Sequence, residues 1–350
     1  MLRLKLEQSE LEATESAIKV AMDMLEKAQT RVNFGNGGEV ENLISRAKGN
    51  YQKRLSDIPP SSRPEQWIFG PEDFDPQHDR GKSATINLRK LFSDVVGCEQ
   101  IVQQLEGYQK VAHAMKCRGR DPRGYIPTNF CFKGPPGTGK TTTARKIAQV
   151  YYDMGLLPEA SVVECSASDL VGKYTGHSGP KTAKALERAL GKVIFIDEAY
   201  RLAQGSNNGS FGTEVLSELV DLLTKPKFCG KLIVILAGYE AEINHLLSTN
   251  PGLASRFPDE LNFKSLPPLH CLQILKMKLD NAGIIVPALD QPQFPGYNAI
   301  LRVLALLVET PSWEMREILK RWRRICVEMF LLPLRMMPMG WSAIVIPRCQ

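Results

Sequence analysis

The run Gly134-Pro135-Pro136-Gly137-Thr138-Gly139-Lys140-Thr141 has the spacing G-x-x-x-x-G-K-[ST] of a phosphate-binding loop. Its glycines let the backbone curl so that several N–H groups point inward at phosphates. Lys140 brings a positive charge to the β- and γ-phosphates, and Thr141 offers a hydroxyl to Mg²⁺. A glycine-rich turn without chemistry is the rival reading, and the flanks argue against it. Asn129-Phe130-Cys131-Phe132 reads as a strand, and the segment from Thr142 has helical spacing at Ala144, Ile147, Ala148 and Tyr151. The positive end of that helix faces the phosphates.

A second constellation follows at Val193-Ile194-Phe195-Ile196-Asp197-Glu198. Four apolar residues predict a buried strand with two acids at its carboxyl end, where open α/β sheets bind ligands. Asp197 is placed to hold Mg²⁺ and Glu198 to polarise a water for in-line attack on a γ-phosphate. Two adjacent carboxylates with separate tasks suit hydrolysis of ATP better than phosphoryl transfer. A helix-capping acid pair is the rival reading.

The elements that must position these residues alternate. Strand-like runs at 129–132, 161–164, 193–196, 232–237 and 261–263 have helical segments between most of them, which predicts an α/β fold with a parallel sheet. After Pro267 helices are expected at 269–281, 297–309 and 313–332. At the other end, Leu4, Leu11, Ile18, Leu25 and Val32 recur every seven residues and predict one amphipathic helix over about 1–32. A second helix over 39–55 places Val40, Leu43, Ile44, Ala47 and Tyr51 on one face, completing a helical hairpin. The proline-rich, acidic stretch after Pro59 reads as a linker, with Trp67, Ile68 and Phe69 available to dock on the next domain. The expected domains are a hairpin or coiled coil (1–58), a linker (59–87), a nucleotide-binding domain (88–266) and a helical lid (267–350).

Bulk composition excludes several classes. The 350 residues are 43% hydrophobic and 23% charged with a formal charge of +6, an ordinary globular balance without the footprint of a nucleic-acid binder. The eight cysteines form no C-x-x-C pair and no Cys/His zinc spacing, which points to a reducing, cytoplasmic compartment. No secretory signal or uncharged apolar run of membrane-spanning length is present, so no membrane partner is expected.

With these words in place the chain resembles an AAA+ ATPase of the CbbX/CfxQ group, which includes red-type Rubisco activases and stage V sporulation protein K relatives. The resembling words are 169–177 (DLVGKYTGH), 197–202 (DEAYRL), 235–239 (ILAGY) and 250–257 (NPGLASRF), within about 88–279. The resemblance implies a P-loop three-layer sandwich with a small helical lid, and ATP with Mg²⁺ as cofactors. It implies that Val96 and Gly97 border the adenine and that the loop Gly134, Pro135, Pro136, Gly137, Thr138, Gly139, Lys140, Thr141 and Thr142 binds nucleotide with Asp197. Thr141 and Asp197 would hold the metal. Tyr239 falls at the sensor-1 position and Arg256 at the arginine finger that reaches a neighbouring subunit's γ-phosphate. Tyr174 and Phe211 fall in two pore loops that grip a protein client in a homo-oligomeric ring, a hexamer. A packed loop tyrosine and a surface salt bridge are the plain alternatives for Tyr174 and Arg256. His177 reads as a loop hydrogen-bonder.

One region departs from the pattern. A lid helix in this group opens with a word like Gly-Asn-Ala-Arg, whereas this chain reads Glu314-Met315-Arg316-Glu317-Ile318-Leu319-Lys320-Arg321-Trp322. Codons compatible with that stretch, read one base earlier, encode Gly-Asn-Ala-Arg-Asp-Ile-Glu-Thr-Leu. The expectation is a frame-shifted tail from about residue 314, with a divergent lid helix as the alternative. The leading functional reading is an ATP-hydrolysing ring that remodels a protein partner. The rivals are an ATP-dependent assembly switch with little hydrolysis, a helicase, and a fragment of a longer multi-module protein.

Overall fold

The computed structural model describes residues 1–29, 35, 37–59, 68–78, 84–172, 174, 176–203, 209–281, 283–285, 293, 295–308 and 346–347. At the amino end lie helix α1 (Leu2–Gln8), strand β1 (Glu12–Ala13), helices α2 (Glu15–Ala28) and α3 (Gly37–Ser56), strand β2 (Ile68–Phe69) and the single turn α4 (Pro71–Phe74). The single helix expected over 1–32 is broken. Glu10 sits in the left-handed region at φ 55°, and Thr14 starts a new helix by accepting a hydrogen bond from the Ala17 backbone N–H at 3.2 Å. Of the heptad positions, Leu4 is 61% exposed, Leu11 and Ile18 are half-buried and Leu25 is buried. The buried positions are Leu2 and Leu6 on α1 and Ala17, Ala21, Leu25 and Ala28 on α2. In α3 the five apolar residues singled out by spacing are all buried.

The stretch read as a linker contributes to this unit. β2 pairs in parallel with β1, and Phe69 packs edge-on against Tyr51 and Phe74, each at 5.6 Å between centroids. Arg54 grips the buried Asp73 with Nε–Oδ1 at 3.1 Å and Nη2–Oδ2 at 2.6 Å while its guanidinium covers the Tyr51 ring. Phe69 therefore docks backward onto the preceding helices and not onto the next domain. A proline-rich composition is outweighed here by two buried aromatics and a paired carboxylate. Trp67 lies outside the described residues.

The remaining core is one five-stranded parallel sheet in the order β4-β5-β6-β3-β7, from β3 (Asn129–Lys133), β4 (Val162–Ser166), β5 (Val193–Asp197), β6 (Ile233–Gly238) and β7 (Asp259–Asn262). Its central strands are near-continuous apolar runs because both faces are covered. Phe130, Phe132, Val193, Phe195, Ile233 and Ile235 enter one core with helices α5 (Ala84–Leu91), α6 (Glu99–Cys117) and α7 (Lys140–Asp153). Their neighbours in the alternation, Cys131, Ile194, Ile196, Val234 and Leu236, enter the other. That second core is closed by α8 (Ala167–Leu170), α9 (Ser178–Arg188), α10 (Gly209–Leu222), α11 (Glu240–Thr249) and α12 (Pro251–Arg256). The result is the three-layer α/β sandwich expected of a P-loop core.

Helices α13 (Pro268–Asn281) and α14 (Pro295–Val308) follow and pack on each other. The expected third helix, the frame-shift point at 314 and Arg316 lie outside the described residues. Among the described residues no helix is long and apolar enough to cross a membrane. Cys98, Cys131 and Cys271 are buried as small apolar side chains, and burial pushes their thiols up to about 11, 12 and 11.

Candidate nucleotide site

The glycine loop joins the end of β3 to the start of α7. Gly134 (φ 152°) donates from its N–H to the Gly238 carbonyl at 3.1 Å, and a Cβ there would lie 2.1 Å from the Phe263 carbonyl oxygen. Only glycine lets the chain leave the sheet at this crowded point. Gly139, at φ 92°, caps α7 and aims the helix amino end back at the loop. Lys140 is the first residue of α7, and its Nζ donates to the carbonyls of Gly134 and Pro135, both at 2.8 Å. Burial lowers its pKa, and Asp197 pulls the other way.

Beside it, β5 delivers Asp197 at its exposed end. The Glu198 backbone N–H donates to Asp197 Oδ1 at 2.9 Å. Glu198 itself has φ 51° and ψ 38°, a left-handed conformation for a non-glycine residue. Such backbones cost about 1–3 kcal/mol and cluster at functional sites. The turn lifts its carboxylate off the strand axis, where Arg201 meets it at 3.1 Å.

These groups line one open cleft of about 580 Å³, a size suited to a nucleotide. Of the residues predicted from sequence, it contains Val96, Gly134, Pro136, Gly137, Thr138, Gly139, Lys140, Thr141, Thr142, Asp197, Glu198 and Tyr239. Pro135 stands behind them as an acceptor for Lys140. Gly97 lies just outside with φ 77°, where a Cβ would meet the cleft residue Leu266 at 2.8 Å. The sequence reading missed Asp94, Arg145, Tyr200, Leu266, Ile274 and Lys278, all of which line the cleft. Ile274 and Lys278 come from α13 and Leu266 from the segment before it, so only the fold could bring them here. Tyr200 had a signal, since it follows Glu198 on the same turn.

The donor set fits Mg²⁺. Thr141 and Asp197 present hard oxygens into the cleft, and among the described residues no cluster of three His, Cys, Asp or Glu forms a cage. Mg²⁺ takes such a site, with one or two protein oxygens, phosphates and waters.

Arg256, Tyr174 and Phe211 do not join the cleft. Arg256 ends α12, with Nη1 donating to the Gly252 carbonyl at 2.8 Å. Its own carbonyl accepts from Asn129 Nδ2 at 2.9 Å, so its backbone sits at the amino end of β3. That is a strand length, about 13 Å at 3.3 Å per residue, from the phosphate loop. Tyr174 is 68% exposed, edge-on to His177 at 5.5 Å. His177 caps α9, and its N–H donates to the Tyr174 carbonyl. Phe211 was expected in a loop over 204–212 and is instead half-buried in the first turn of α10. Gly212 abuts the Leu202 carbonyl, which seats that turn. Residues 204–208 lie outside the described residues.

A glycine loop on β3, paired acids on β5 and an all-parallel sheet define a P-loop nucleotide-binding core. Residues 130–265 match the family model "ATPase family associated with various cellular activities (AAA)". Over those residues the chain carries an AAA ATPase domain, and the proteins it is similar to include stage V sporulation protein K and a CfxQ homolog. It is 42% identical over 195 residues to stage V sporulation protein K of Bacillus subtilis, a match covering 55% of this chain and 60% of the relative. It is 40% identical over 151 residues to the chloroplastic ribulose bisphosphate carboxylase/oxygenase activase of Cyanidioschyzon merolae, covering 43% and 51%. The CfxQ homolog of Cyanidium caldarium is 38% identical over 151 residues, covering 43% and 52%. The chain therefore spans between about half and 60% of the length of these relatives. Residues 1–84 match a model described as an AAA lid domain.

Proposed function

We propose that the cleft binds Mg·ATP and hydrolyses it. The observation that carries this reading is the convergence of Lys140, Thr141, Asp197 and Glu198 at the carboxyl ends of β3 and β5. Loop N–H groups and Lys140 hold the phosphates, Thr141 and Asp197 hold the metal, and Glu198 accepts a proton from the attacking water. Mg²⁺ held there would supply neutralisation of the charge that builds on the phosphates. Tyr239, at the end of β6, faces the reacting phosphate. Val96 and Gly97 flank the base.

Arg256 acts on the nucleotide of a neighbouring copy, because its own cleft lies beyond its reach. That makes the working form a ring, a hexamer by resemblance, in which Tyr174 lines the channel and contacts a protein client. The relatives named for sporulation, carboxylase activation and CfxQ support an ATP-driven action on a protein partner. Residues 1–84 match a lid model, whereas this cleft is closed by α13 through Ile274 and Lys278 and by Leu266 just before it. Among the described residues, none of those lining this cleft comes from 1–84.

The test is ATP turnover of the chain measured against its concentration, with mass by light scattering with and without ATP. Turnover per chain that rises with assembly supports the ring. Concentration-independent turnover by a monomer removes the role of Arg256. ATP binding and assembly without turnover leaves the assembly switch.

A further inference from the structure

Arg256 must be held in place to serve another copy's cleft, and the backbone next to it supplies little hold. Only Phe257 and Pro258 separate Arg256, the end of α12, from Asp259, the first residue of β7. Pro258 has no N–H to donate. The parallel ladder begins one residue later, where Asp259 pairs with Phe130. Two side chains from distant parts of the chain fill this gap. Asn129, the first residue of β3, donates from Nδ2 to the Arg256 carbonyl at 2.9 Å. Tyr108, in the middle of α6, donates from its hydroxyl to Asp259 Oδ1 at 2.8 Å and accepts from Gln104 Nε2 at 2.7 Å. Tyr108 packs on the first core, whereas Leu253 and Phe257 of the finger segment belong to the second. The turn 256–259 is therefore anchored to both cores. The guanidinium it carries keeps an enclosed Nε with no hydrogen-bond partner among the described residues.

We infer that Asn129 and Tyr108 are positioning residues for Arg256, which fix the turn 256–259 on β3 and α6 so that the guanidinium meets a neighbouring copy's nucleotide in one geometry. This rests on Arg256 acting in trans. Neither Asn129 nor Tyr108 lines the cleft, so neither touches the nucleotide of its own copy. A finger stabilises charge that develops in the transition state. Such help falls steeply with misplacement, and a shift of about 1 Å can cost about 10²-fold. Loss of the Asn129 amide frees the end of α12, while the ladder from Asp259 onward still holds the sheet. Tyr108 has the smaller share, because its hydroxyl reaches Arg256 only through Asp259, three residues away.

The experiment places each change on one side of a mixed assembly and reads Mg·ATP turnover. The Arg256→Ala chain brings an intact cleft, and the Lys140→Ala chain brings an intact finger. Asn129→Ala added to the Lys140→Ala chain should lower turnover of the mixture by about 10- to 100-fold. Added to the Arg256→Ala chain, the same change should leave turnover within about twofold. Tyr108→Phe keeps the ring that packs near Phe130, at 6.4 Å between centroids, and removes only the hydroxyl. It should cost about fivefold, again from the finger-bearing side alone, and it keeps the test alive if Asn129→Ala fails to fold. In an otherwise unchanged chain each variant should lower kcat with KM within about twofold. A loss as large from the cleft-bearing side as from the finger-bearing side, or no loss from either, overturns the positioning role. Parent-level turnover in Arg256→Ala alone instead removes the finger itself, a different outcome from failure of its positioning.

Discussion

The two ends of the central sheet are built differently. At the carboxyl ends of β3 and β5, Lys140, Asp197 and Glu198 are fixed by buried strands and gathered on one cleft. At the amino end of β3, Arg256 is tied to Gly252 and Asn129, with its Nε lacking a hydrogen-bond partner among the described residues. One end can bind a nucleotide within a single chain. The other holds a charge that no group of its own cleft can use. The difference teaches that binding is a property of one copy, and that full catalysis, as proposed, belongs to two.

Separate loss of the two ends sharpens that division. Arg256→Ala should lower kcat by about 10³–10⁵-fold, the usual worth of an arginine finger, with ATP affinity unchanged within about twofold. Lys140→Ala should weaken ATP binding by roughly 10- to 100-fold, the worth of one charge-assisted hydrogen bond. Mixing the two inactive chains should restore activity, since one supplies an intact cleft and the other an intact finger. Absence of recovery at concentrations that assemble would break the comparison.

The lid-like unit gives a smaller effect. Arg54→Ala leaves the buried Asp73 carboxylate without its partner, and should cost about 1–3 kcal/mol in that unit. A lower first thermal transition should appear while ATP affinity stays the same. Loss of ATP binding along with it would mean the unit supports the cleft after all.

The smallest effect concerns thiols. Cys117 and Cys229 are exposed, whereas Cys98, Cys131 and Cys271 are buried with raised pKa values. Native alkylation at pH 8, read by mass spectrometry, should label the first two and spare the other three. Labelling of Cys131 would contradict the two-sided core.

The cleft was legible in the sequence because short-range chemistry dictates it. The loop spacing fixes Lys140, and the four apolar residues before Asp197 fix a strand buried on both faces. The five expected strands correspond to β3–β7 within a few residues. The amino end was not legible in the same way. A seven-residue recurrence counts leucines without knowing that Glu10 turns the chain and Thr14 restarts it. The linker reading failed because Phe69 and Asp73 find their partners, Tyr51 and Arg54, across the fold. Arg201 was within reach, three residues after Glu198, but spacing alone does not reveal which carboxylate a long side chain will meet.

The central claim is that the cleft around Lys140, Asp197 and Glu198 hydrolyses ATP with Glu198 as base. Its most direct test is Glu198→Gln, measured for ATP affinity and turnover side by side with the parent chain. The account predicts affinity within a few-fold and turnover lower by about 10²–10⁴-fold. Parent-level turnover in Glu198→Gln, or no ATP bound by the parent chain, would contradict it.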